Sequence, residues 1–93
     1  MDQAIPLFVV TVVDLVEKDL ASADAGKAIL ATAIFPQVGF DAPSETLPRV
    51  SRYMLDLLKS FHAHTIPRQE VMEALTWVFA RAAAKDFRAL AAL

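Results

Sequence analysis

A small all-α domain of four helices, packed as a bundle, is the fold class this chain predicts. Three observations carry it. Apolar residues recur at i, i+3, i+4 and i+7 along most of the chain, the period of a helix buried on one side. Two stretches of helix-starting and helix-breaking residues, with a third shorter one, cut that pattern into segments of about residues 5–21, 24–35, 46–62 and 66–91. Only one run, "FVVTVV", is rich enough in β-branched residues to suggest a strand. A lone strand leaves its backbone groups unpaired, so this run is read as helix.

The first segment places Ile5, Phe8, Val9, Val12, Val13, Val16 and Leu20 on one stripe. "SADAG" follows, with Ser22 and Asp24 as helix-start residues, and opens a second segment that is apolar nearly all round. Residues 35–48 hold three of the five prolines and one of the two glycines, so they form a true connection. The third segment carries the cleanest stripe: Leu47, Val50, Tyr53, Met54, Leu57, Leu58 and Phe61, with Ser44 or Thr46 as cap and Pro48 in the first turn. "HAHTIP" turns the chain once more, Thr65 capping the last helix and Pro67 in its first turn. That helix lines up Val71, Met72, Leu75, Val78, Phe79, Ala82 and Leu90. "FRALAAL" carries no stop signal, so the helix frays or continues past Leu93.

Residues 1–93 read as one domain, near the lower size limit for folding alone. Hydrophobic residues make up 56% of the chain, against about 45–50% in globular proteins. So small an interior cannot hide that excess, which predicts burial against a second chain: a homodimer, with the helices intertwined as one way to make it, or another protein. The net charge of −2, without a basic block, gives no case for nucleic acid or an anionic membrane surface. The apolar run 4–13 follows Asp2 instead of a basic region and is about half a bilayer span, so it is read as part of the fold. Absence of cysteine excludes disulfides and thiolate chemistry and fits a cytoplasmic protein.

Both histidines, His62 and His64, precede the last helix. Residues two apart on a helix point about 200° from each other, and no further His or Cys exists to complete a zinc site. No metal or other cofactor is therefore expected. A calcium loop aligned from Lys59 to Glu70 puts Lys59, Phe61 and Ala63 where acidic ligands belong. Gly26-Lys27 lacks the remainder of a phosphate loop, and no nucleophile motif appears. "TIPRQEVMEAL" resembles the first helix of a helix-turn-helix unit, but the pattern runs on through "TWVFARAAAKDF" without a breaker.

Residues that break the pattern are more telling. Trp77 falls opposite the last helix's apolar stripe, among Glu70, Glu73, Arg81 and Arg88. Tryptophan in a row of charges marks an interface anchor. Leu7 and Val10 do the same on the first helix, and Leu55 on the third, between Arg52 and Lys59. Asp86 is the reverse case, a carboxylate on the apolar face of the last helix, placed where the core runs out. The expectation is an interaction or regulatory module without catalysis, its interface built on Trp77, Arg81, Glu73, Leu7 and Val10. The rival is a small enzyme or ligand-binding protein with His62, His64 and Asp86 in an inter-helix pocket. Helix-turn-helix DNA binding is a second alternative.

Overall fold

In the computed structural model, which describes residues 4–93 and side chains from Leu7 onward, five helices form around one core. They are α1 (Ala4–Glu17), α2 (Ala23–Val38), α3 (Thr46–His62), α4 (Arg68–Ala83) and α5 (Phe87–Ala91). The first four answer to the four expected segments. No strand forms among the described residues, so "FVVTVV" is helical. Its valines serve the helix through packing: Val9, Val12, Val13 and Val16 are all buried. Ile5 belongs to the same expected stripe and lies outside the described side chains.

The expected stripes of α3 and α4 meet α1 and α2 in the core. Val50, Met54, Leu58 and Phe61 are buried on α3, and Val71, Leu75, Val78, Phe79 and Ala82 on α4. Each of the larger side chains among them contributes about 1.5–3 kcal/mol through burial. α2 buries Gly26, Leu30, Ile34 and Val38, one residue per turn. Its outer side carries Ile29 and Phe35, both exposed, so this helix is apolar all round yet covered on one side only.

At Gly26, side chains of both α1 and α3 crowd the backbone of α2. A Cβ there would lie 3.0 Å from both Leu58 Cδ1 and Val16 Cγ2, and 3.4 Å from Val12 Cγ1. Ser22 starts α2 as expected, its Oγ accepting from the Ala25 N–H at 3.0 Å. The helix then runs past its expected end and includes Pro36 in the last turn. A proline there removes one N–H from the ladder and leaves the Thr32 carbonyl without it, a modest loss on the exposed side.

Helix ends account for the main departures from expectation. α1 stops at Glu17, and Asp19 takes φ 59°. The Leu20 N–H then reaches Leu15 O at 2.9 Å and the Asp19 N–H reaches Val16 O at 3.2 Å. This is the double bond pattern of a Schellman turn, with aspartate in the left-handed position usually held by glycine. Leu20, expected on the buried stripe, is swung out and 71% exposed. His64 (φ 62°) closes α3 in the same way, through Thr65 N–H to Ser60 O at 2.9 Å.

Lys85 (φ 54°) does so for α4, through Asp86 N–H to Arg81 O at 2.9 Å. The last helix is therefore broken, and the helix expected over 66–91 is two. A breaker thus does follow "TIPRQEVMEAL", but α5 has five residues and one base, Arg88. The caps of α3 and α4 also differ from expectation. Thr65 Oγ1 donates back to Ser60 O at 2.8 Å, and Pro67 itself occupies the α4 cap position. Glu45 precedes α3 without a side-chain cap bond, while Thr46 is buried and its hydroxyl unpaired.

Candidate functional site: two apolar surfaces and a polar corner

Arg68 ties the first turn of α4 to the last turn of α1, at 2.7 Å from Asp14 and 2.6 Å from Glu17. Its guanidinium pKa is raised, chiefly by the hydrogen bond to Asp14, with burial opposing. α4 packs back along α1 from this anchor. At 1.5 Å per residue, Trp77 stands about 13 Å beyond Arg68, level with the first described turns of α1. Leu7 and Val10 lie on the Asp14 side of α1, whereas Trp77, nine positions past Arg68, is turned about 180° from it on α4, and the residues around Trp77 all belong to α4.

The exposures of these residues are uneven. Leu7 is 65% exposed and Trp77 is 42% exposed, while Val10 is half-buried. Met72, Glu73, Thr76 and Ala80 surround Trp77 in a shallow hollow of ≈ 380 Å³. Glu73 accepts a bond from Gln69 at 3.2 Å. Arg81 meets Asp86 at 3.3 Å. Asp86 thus has a task that its position on a helical wheel conceals. It caps α5, accepting from the Ala89 N–H at 3.2 Å, and it faces a cation that sequence reasoning did not pair with it.

The second surface lies where α2 gives way to α3. Phe35 is 50% exposed and Phe40, placed just after Gly39 (φ 77°), is 98% exposed. Beside them Phe35, Val38, Gly39, Ala42, Pro43 and Leu47 line a hollow of ≈ 320 Å³. A shallower one lies across Phe35, bounded by Ala31, Thr32, Pro36 and Leu47. No charged residue occurs from Ala28 to Phe40. Sequence reasoning took residues 35–48 only as a connection between helices. The signal was present in an uncharged run of thirteen residues that ends in a glycine-aimed phenylalanine.

His62 and His64 form the polar corner. His62 Nε2 lies 2.5 Å from Asp19 Oδ1, joining residues 43 apart in sequence, and both side chains are well exposed. Together with His64, Glu17, Val16 and Phe61 they enclose only ≈ 70 Å³, far below the ~300 Å³ at which ligand pockets begin. Among the described residues no three of His, Cys, Asp and Glu converge to hold a metal ion. Asp86 is not part of this corner. Arg68 stands at the histidine end of α4, and the sixteen residues of that helix separate it from Asp86 by about 24 Å. The rival trio is thus split between two ends of the molecule.

Among the described residues no helix is long and apolar enough to cross a membrane. Compared with protein-family models, with curated proteins and with solved structures, the chain has no match in any of the three.

Proposed function

We propose that this chain is a small helical module that acts by association with protein surfaces and carries out no catalysis of its own. One observation carries the reading: Phe35 and Phe40 stand exposed around an apolar hollow, in a stretch free of charge. Exposing two aromatic rings forgoes several kcal/mol of burial, on the order of 1.5–3 for each ring fully covered. Scattered single apolar residues need no explanation, whereas a cluster around a concavity does. Trp77 with Glu73 and Arg81 on α4, and Leu7 with Val10 on α1, are two further patches offered to a partner, in the cytoplasm. A homodimer or another protein is the expected partner, and nucleic acid and membrane are not.

The test is site-specific photo-crosslinking in the native cell, with a photoreactive side chain at Phe35 or Trp77 and at Lys59 as a charged-face control. The reading expects discrete protein adducts from Phe35 or Trp77 and none from Lys59. Adducts from no position, or equal labelling from all three, would refute it.

A further inference from the structure

We infer that the surface between α2 and α3 pairs with a second copy of this chain, each copy placing Phe40 in the other's hollow. This rests on the association reading above and names the partner and the contact. Phe40 and the hollow are adjacent, yet Phe40 is not among the side chains that line it and remains 98% exposed. The turn at Gly39, with φ 77°, directs the chain away from its own α2. A protruding ring and an unfilled apolar hollow on one surface are each other's complement. A two-fold axis beside Phe40 satisfies both at once, because an isologous contact repeats every interaction twice. The hollow, at ≈ 320 Å³, has room for a phenyl ring and the backbone that carries it.

The charges at the rim suit the same partner. Lys85 lies over Gly39, its Nζ 3.2 Å from where a Cβ would stand. Asp41 immediately follows Phe40 and is exposed. Among the described residues neither Lys85 nor Asp41 has an ion-pair partner. One acid and one base flanking the same ring match an identical rim turned through 180°, Asp41 of each copy opposite Lys85 of the other. A partner surface of one sign would meet repulsion at one of them.

Area sets the expected strength. A buried phenylalanine covers about 150–250 Å², and the hollow that receives it loses a comparable amount. With part of Phe35 and its surroundings, each copy buries roughly 500 Å². The total of about 1,000 Å² is at the lower edge for specific interfaces, so the dimer is weak and concentration-dependent.

Light scattering across about 1–300 µM is the measurement, with Phe40→Ala, Asp41→Lys, Lys85→Asp and the double variant Asp41→Lys/Lys85→Asp alongside. The wild-type mass should rise from 10.2 kDa towards twice that value. Phe40→Ala, with circular dichroism unchanged because the ring touches no core, should weaken dimerisation at least tenfold. Each single charge variant should weaken it about tenfold by opposing like charges, and the double variant should recover most of that loss. Aspartate at position 85 is suited to the left-handed backbone there.

Three results overturn the pairing. One is a wild-type mass flat at all concentrations, with or without binding of a small apolar dye. Another is a dimer indifferent to Phe40→Ala, and the third is a double variant as weak as the singles. A flat mass with crosslinked adducts in the cell overturns self-pairing while the association reading stands. A flat mass without adducts overturns both.

Discussion

Replacing Gly26 by alanine sets two known effects against each other at one site. In an exposed helix interior the change stabilises by about 1 kcal/mol, since glycine is the poorer helix former. Here the new methyl would meet Leu58 Cδ1 and Val16 Cγ2 at 3.0 Å, both on fully buried side chains. Val16 is β-branched and held in one dominant helical rotamer, so it cannot turn aside. Leu58 is fully buried, so its Cδ1 can give way only by displacing core neighbours or by shifting α3 away from α2. Overpacking of this kind costs about 1–3 kcal/mol.

Subtracting the propensity gain leaves a net loss of about 1 kcal/mol, with the sign set by packing. Urea denaturation of Gly26→Ala should show a lower midpoint at unchanged slope, and a melting temperature about 4–8 °C lower. The neighbouring Ala25→Gly, on the exposed side of α2, isolates the propensity effect and should also destabilise by about 1 kcal/mol. If Gly26→Ala proved more stable than the parent, the close approach of α1, α2 and α3 at Gly26 would be wrong.

Three further outcomes follow from other sites. His64→Gly should stabilise by about 0.5 kcal/mol, relief of the left-handed backbone outweighing the added freedom of the unfolded chain; a lower thermal midpoint would count against the Schellman turn. Asp86→Ala should destabilise by about 1 kcal/mol, through loss of the α5 cap and the Arg81 contact; a gain in thermal unfolding would mean that Asp86 is an unpartnered buried charge instead. Arg68→Ala should cost at most about 1 kcal/mol, because its ion pairs are half-exposed. A base whose pKa is raised on folding adds stability below its ordinary, strongly basic range and loses it only above. The Arg68→Ala deficit in urea titrations should therefore stay constant across the neutral pH range, and a deficit that vanished there would contradict the raised pKa.

What could be read from the chain follows a physical division. Helix interiors were legible because burial repeats with the helical period: the stripes of α3 and α4 reach the core almost residue for residue. Helix ends were not, because Asp19, His64 and Lys85 hold left-handed positions without being glycine. Aspartate and histidine are enriched in that conformation, so two of the three left a faint signal. Lys85 left none, and extending α4 through it carried Asp86 onto an apolar face it never occupies. Partners far apart in sequence, as in the pairing of His62 with Asp19, depend on how helix ends are brought together and have no local mark. The apolar excess was assigned to pattern-breaking helical residues, Trp77, Leu7, Val10 and Leu55, and the exposed Phe35 and Phe40 were passed over. Periodicity speaks only of helices, and Phe40 lies in a connection.

Pro36 has a further consequence for motion. An amide can be protected from exchange with solvent only where it is bonded, and the last turn of α2 hangs on a ladder already short of one bond. Gly39 closes that turn with a single bond, at 3.2 Å to Phe35 O. Residues 37–39 are therefore expected to open at lower free energy than the core turns around Leu30 and Ile34, with hydrogen exchange there ahead of the rest of α2. These fast-exchanging amides adjoin the exposed aromatic rings. An occupant of the hollow that holds them closed should be read out as slowed exchange at three consecutive positions, 37 to 39.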